Sequence, residues 1–521
     1  MSNIVTIVLH KQVVSIAAMV SVVYLFWATV LVDISYAYHP DIDWYTLKSP
    51  HFDIHFPKHQ LQLAKKTAKQ AEISYNVITE KLDWQVDRSI QIVINDDSDS
   101  ANGFAMTIPY NLISINSSMP DEISSINNYK DWLSILINHE LTHIVHLDIT
   151  HDLPRLFNNI FGRWLSPNSV QAKWLIEGVA TWLESNTTNS GRLHSSYFTM
   201  MLRSDLLYNP NPLTLDQISG AVDFWPYGTI PYLYGLFFID FLTEQYGSSV
   251  IKQLSHNYGA RIIPFRMGDA IRDITGEDLD ELFDKFIKQK TAQFLELKHN
   301  TITRTVMQGE SITDRGDFIA TPQITTCRDK TGKLSTDKLF YVAASEHEHT
   351  KLMVQNIGTD IAATEVTAVA NVNPSAHIAV DQNCHFVYIA QSEITNSYQR
   401  YRDLFRLNLL TKKIEQLSFG LRISHPVLLK DEQQLIFVKQ LHDRKILALA
   451  QIDEIDNYQV LVDLGANSDI ASPDISHDDR SLVFSGFVNE HRDIYLYDLT
   501  KKQLLMNITN DATIDGGPKF S

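Results

Sequence analysis

A chain of 521 residues with 44% hydrophobic and 20% charged residues is globular and too long for one ordinary core, so two or three domains are expected. Its 61 acidic against 44 basic residues give a formal charge of -17, and no Lys/Arg cluster stands out, which excludes a nucleic-acid-binding surface. The two cysteines, Cys327 and Cys384, could pair in an oxidising compartment, but a chain of this length needs no disulfide staple, and two make too few ligands for a metal site.

The first feature in chain order is an uncharged run of twenty residues, Val13 to Val32, preceded by Lys11. Ser35 and Ala37 follow it at the -3 and -1 positions of a cleavage site, so residues 1–37 read as an export signal cut after Ala37. Twenty apolar residues also suffice to cross a bilayer, and an uncleaved membrane anchor through 13–32 is the alternative. In both cases the remainder is expected in the periplasm or cell envelope.

After Tyr38 the segments FDIHF (52–56), SIQIVIN (89–95) and NLISIN (111–116) alternate as strands do, and residues 60–82 carry apolar positions at helical spacing. Apolar stretches at 131–147, 172–183, 229–245 and 278–295, separated by loops rich in Asn, Pro, Ser and Gly, predict helices. Residues 38–300 are therefore expected to form an α+β domain, a small sheet followed by a helical bundle.

From residue 301 the texture is β-rich. Pro322, Pro374, Pro426, Pro473 and Pro518 recur at spacings of 52, 52, 47 and 45. A strand follows each of the first four (LFYVAAS, HFVYIAQS, LIFVK, LVFSG), and a further strand follows that (KLMVQNI, DLFRLNLL, KILALAQI, DIYLYDL). A period near fifty predicts a multidomain chain whose second part, 301–521, is an all-β propeller of about four blades. The copy at 472–509 resembles the TolB-type, WD-like repeat. The chain stops at GGPKFS, where another blade would begin, so an incomplete, truncated propeller is expected.

The chemistry lies in INHELTHIVHLD, Ile137 to Asp148. On a helix His139 and His143 share a face and can converge on one ion, with Glu140 beside them. The pattern alone is too common to decide, because a catalytic zinc needs a third protein ligand. KWLIEGVATWLES (173–185) offers one: Glu177 follows an apolar run that would bury it, and a buried carboxylate needs a partner such as a metal. Glu184 is a rival ligand, but its neighbours Ser185, Asn186 and Thr187 predict a solvated helix end.

HELTH and WLIEGVATWL together resemble the gluzincin metallopeptidases, the peptidase MA-like group of the thermolysin and aminopeptidase superfamily. The resemblance implies Zn2+ held by His139, His143 and Glu177, with Glu140 as general base. YLYGLFFIDFLTEQYG (232–247) resembles the family helix that presents an aromatic hydroxyl to the zinc. The family's tyrosine precedes a glycine by three, which selects Tyr232 before Gly235 and leaves Tyr227 and Tyr234 as alternatives. NGFAMTIPYNLISIN (102–116) ends in a strand that related peptidases use as an edge for the substrate backbone, with Gly103 permitting close approach; an ordinary sheet strand is the other reading. The acidic residue that can steady a ligand histidine four positions after the third ligand is Thr181 here, and Asp148 is the expected orienter instead.

These readings predict an exported zinc metallopeptidase acting on a peptide or protein, with a propeller that selects substrate or partner. A binding or scaffold protein with an inactive peptidase-like domain is the alternative.

Overall fold

The computed structural model describes residues 42–120, 131–302 and 318–520, except 189, 221, 223–224, 264–265, 329–333, 345–347, 358–365, 396–397, 467, 490 and 512. The apolar run Val13–Val32 and the cleavage site after Ala37 lie outside the described residues. Among the described residues no helix is long and apolar enough to cross a membrane.

Five strands open the described chain: β1 (Trp44–Lys48), β2 (Phe52–Pro57), β3 (Ile90–Asn95), β4 (Gly103–Met106) and β5 (Leu112–Asn116). They form one sheet in the order β1-β2-β3-β5-β4. β2, β3 and β5 are parallel, with β1 and β4 antiparallel at the two edges. Parallel β2 and β3 require a crossover, and helix α1 (Leu61–Leu82) supplies it. That helix stops where Asp83 turns left-handed (φ 52°). The segment 102–116 is thus a hairpin of two strands. The edge strand is β4, not the strand at 112–116, because the turn after Met106 folds β4 back onto β5 and encloses β5 on both sides.

Among the described residues, eight α-helices follow: α2 (Trp132–Asp148), α3 (Asp152–Phe161), α4 (Lys173–Thr188), α5 (Ser196–Tyr208), α6 (Ile230–Tyr246), α7 (Ser249–Gly259), α8 (Met267–Thr275) and α9 (Leu279–Ile302). The four long apolar stretches became α2, α4, α6 and α9, and α9 runs past the expected boundary at 300. Asp131 caps α2 by accepting the Ser134 N–H at 3.3 Å. Phe52, Ile92 and Ile113 from the sheet, Leu141 from α2, Trp174 from α4 and Phe238 from α6 share one core and are each fully buried. At about 1.5–3 kcal/mol per large apolar side chain, this core can offset the burial of polar groups on α2. Helices α4 and α6 cross backbone to backbone. A Cβ on Gly235 would lie 2.1 Å from the Trp174 carbonyl oxygen, and one on Gly178 would lie 2.6 Å from Gly235.

The second part is all β: four four-stranded antiparallel meanders spanning 318–371, 377–416, 423–463 and 469–507. Pro322, Pro426 and Pro473 lie in the first strand of their sheets, and Pro374 lies just before its own. Each sheet packs its face on the next: Phe340 and Val342 meet Val387 and Ile389, Tyr388 and Leu404 meet Phe437, and Ile436 and Val438 meet Phe484. This is the face-to-face stacking of propeller blades. The segment around Pro518 runs along the fourth blade, where the Phe520 N–H donates to Asp474 at 2.8 Å. The two cysteines, read from sequence as dispensable, are paired: Cys327 of the first blade is joined to Cys384 of the second, Cα to Cα 5.5 Å.

Residues 44–521 form one unit, and the loop after β3 joins its two parts. Buried Arg422, between blades two and three, places Nη1 2.9 Å from Asp96 and Nε 2.6 Å from Asp99. Nη2 donates to Ser118 Oγ at 3.3 Å. Backbone bonds from Asp99 N–H to the Arg400 carbonyl (3.1 Å) and from Arg400 N–H to the Asp97 carbonyl (2.7 Å) lock the same loop to blade two. His442 and His59 both face the remaining Asp96 oxygen, at 2.6 and 3.4 Å.

Candidate metal centre

His139 and His143 leave one face of α2, and α4 brings Glu177 opposite them. His139 Nε2 and His143 Nε2 are 3.2 Å apart, and Glu177 Oε2 lies 3.4 Å from the first and 3.3 Å from the second. Three acceptor-capable atoms thus form a nearly equilateral triangle. A tetrahedron with corners about 2.0–2.1 Å from its centre, the zinc–nitrogen and zinc–oxygen range, has edges of about 3.3–3.4 Å. Glu177 Oε2 is buried without a well-directed hydrogen-bond donor, as is His143 Nδ1. The N2O donor set and its spacing fit a borderline divalent cation.

Charge at the centre follows from burial and proximity. Burial alone would raise the Glu177 carboxyl, yet His139 and His143 hold it well below the usual carboxylate range. Burial pulls the His139 imidazole down, but Glu177 and Glu184 outweigh it and lift it to about 9. His146, three residues beyond His143, is pushed down to about 3 by burial and by His143, and it is not among the converging donors.

The neighbours of the triangle differ in part from those expected. Glu140 is buried, and burial raises its carboxyl despite the opposing imidazoles. Gly103 on β4 lies directly over it: a Cβ there would come within 3.1 Å of Glu140 Oε1 and 2.9 Å of Leu136 Cδ1. A side chain at 103 would press on Leu136 and Glu140 or push the edge strand away. Tyr232 faces the cluster, its ring centroid 6.1 Å from that of His139 and its face under the Arg192 guanidinium at 5.2 Å. Burial and the Glu177 charge raise its phenol, which stays a neutral donor. Tyr234 instead donates to buried Asp205, and Tyr227 lies in the turn before α6. The Gly178–Gly235 crossing sets this arrangement, since it draws Tyr232, one turn before Gly235, against the site.

Asp148 does not orient a ligand histidine. It accepts from Trp84 Nε1 at 2.8 Å and pairs with Arg163. Nine residues of helix put it about 13 Å along the axis from His139. Glu184 orients His139 instead, with Oε2 2.9 Å from His139 Nδ1, and it is fully buried, not at a solvated helix end. Its other oxygen lies 3.1 Å from Arg192 Nε. Seven residues past Glu177 is two helical turns, so Glu184 returns to the same face of α4. That spacing was the available signal. Thr181, by contrast, donates back to the Glu177 carbonyl at 2.7 Å.

No family model matches this chain. An uncharacterized protein of Treponema pallidum (strain Nichols) is 27% identical over 253 residues, which are 48% of this chain and 22% of that relative's own length. Among solved structures, TolB from Acinetobacter baumannii is similar at 14% identity and a TM-score of 0.30, over 38% of this chain and 45% of that one. Oligogalacturonate lyase from Vibrio parahaemolyticus is similar at 13% identity and a TM-score of 0.26, over 34% and 53%. TolB-like β-propellers are thus among the structural neighbours.

Proposed function

We propose that this chain is an exported zinc-dependent peptidase whose propeller selects substrate or partner. The observation that carries the reading is the triangle of His139 Nε2, His143 Nε2 and Glu177 Oε2, with sides of 3.2–3.4 Å. A zinc ion held there would supply Lewis acidity toward a scissile carbonyl and a water that ionises near neutral pH. Glu140, raised by burial, accepts the proton of the attacking water and passes it to the leaving amine. The Tyr232 hydroxyl donates to the oxyanion as negative charge develops. The outer edge of β4 offers backbone N–H and C=O groups to an extended substrate. The Cys327–Cys384 disulfide supports an oxidising compartment and hence export.

Metal content of the purified chain tests the reading. One zinc per chain is expected by elemental analysis, and His143→Ala or Glu177→Ala should lose it. A chain without stoichiometric zinc whose hydrolysis survives chelation would overturn the proposal. Glu184→Gln should keep the zinc but weaken its affinity about 10–100-fold, the usual effect of removing a carboxylate behind a ligand histidine. Competition against a chelating dye reads this directly, and unchanged affinity would remove Glu184 from its orienting role.

A further inference from the structure

Helix α3 carries its apolar face on the outside. Leu153, Leu156, Phe157, Ile160 and Phe161 follow the i, i+3, i+4, i+7, i+8 spacing of one helical stripe, with Trp164 just past the helix end, and such a stripe ordinarily faces the core. Here all six are exposed, Ile160 by 64%, Phe161 by 62% and Trp164 by 70%.

The inversion is built in. Pro154 is buried, and Asn158 on the inner side donates to the Leu165 carbonyl at 2.7 Å. The Asn158 side-chain oxygen also accepts from the Trp164 and Leu165 N–H groups at 3.0 and 2.9 Å. The start of α3 is tied as well, through the His151 N–H to the Gly259 carbonyl at 3.0 Å.

The ridge borders a polar depression lined by Arg88, Arg155 and Arg163 together with Asp87 and Asp148. Arg163 pairs with Asp148, and the Arg88 charge also acts on Asp148, while Arg155 makes no ion pair within 4 Å among the described residues. Arg155 lies over the Trp84 ring at 5.5 Å. In a chain of net charge -17, a lining of three guanidiniums against two carboxylates beside an uncharged aliphatic and aromatic ridge is a local exception. A bilayer interface stacks the same two chemistries, hydrocarbon next to phosphate. We propose that the α3 ridge seats in the surface of an anionic phospholipid bilayer, with Arg88 and Arg155 meeting its phosphates. A groove on a protein partner would match the ridge but would not call for the adjacent cations.

The uncharged run Val13–Val32 could itself hold the full chain on a vesicle, so the readout must be local to α3. Fluorescence quenching by vesicles with brominated acyl chains meets that need, as the difference between the wild-type chain and Trp164→Phe. On brominated phosphatidylglycerol vesicles the wild type should lose several-fold more Trp164 emission than on phosphatidylcholine vesicles. Ile160→Ser/Phe161→Ser should abolish that difference while leaving the unfolding temperature unchanged, as exposed positions allow. Arg88→Glu/Arg155→Glu should erase the preference for the anionic lipid. Equal quenching of the wild type and Trp164→Phe on vesicles would overturn the proposal. So would a Trp164 emission that shifts to the blue with protein concentration in lipid-free buffer, which assigns the ridge to a second copy.

Discussion

Replacing Arg422 with alanine is expected to lower the unfolding free energy by about 3–5 kcal/mol, the usual range when one partner of a buried ion pair is deleted. The substitution leaves Asp96 and Asp99, both under 10% exposed, without the guanidinium that pairs with each. The loss is cushioned but not cancelled: Asp96 keeps Ser117 Oγ at 2.9 Å and His442, and Asp99 keeps the Arg402 N–H at 2.8 Å. Arg422→Lys should rescue little, because one ammonium cannot reach both carboxylates in the fork that Nε and Nη1 provide. Burial opposes ionisation of Asp96, but His442, His59 and Arg422 hold its carboxyl well below the ordinary range. A lowered folded pKa stabilises the native state above the unfolded value of about 3.9, and the gain fades as pH falls toward the folded value. The wild-type seam should therefore be at full strength at neutral pH and weaken only in strong acid. Calorimetry at neutral pH reads the effect as a lower midpoint, with the helical part and the propeller separating into two transitions. A variant within about 1 kcal/mol of wild type would show that the seam contributes no more than a surface ion pair.

The same substitution bears on the site. The loop that Arg422 clamps leads from Asp99 into Gly103, the residue over Glu140. An unclamped loop frees the edge strand, so slower hydrolysis should accompany the lost stability even though Arg422 touches no candidate ligand. This link between propeller and site was illegible in the sequence. Arg422 and Asp99 are 323 residues apart, and neither belongs to a periodic pattern.

Residues whose role is local were readable. The His139–His143 spacing is a property of one helix, and the apolar run before Glu177 signals a buried carboxylate within four residues. The long helices and the inner strands of the blades carried enough apolar periodicity to be placed. The misreadings came where tertiary contact overrides local composition. Glu184 sits among Ser, Asn and Thr, yet it is fully buried, because the Gly191–Arg192 turn folds over it: a Cβ on Gly191 would lie 2.7 Å from Ser185 Oγ. Asp148 shares a helix with the ligands but lies too far along it. The fourth strand of each blade is short and largely exposed, so it left no hydrophobic alternation to read.

Glu140→Gln should abolish most hydrolysis while leaving the metal in place, and that dissociation is the sharpest consequence of the proposed chemistry. The glutamine has nearly the same shape, so the packing against Gly103 and Leu136 survives. The Glu140 carboxylate is not one of the three converging donors, so metal affinity should stay within a few-fold of wild type. What disappears is the group that accepts a proton from water and returns it to the amine. Positioned acid–base groups contribute about 10²–10⁴-fold, so the turnover rate should fall by that factor, or about 2.7–5.5 kcal/mol of barrier. His143→Ala makes the contrast, because it should lose metal and activity together. Parallel zinc analysis and hydrolysis of an unfolded protein substrate separate the two cases. If Glu140→Gln hydrolyses at the wild-type rate with its metal bound, another base does the work, and the role given to Glu140 falls.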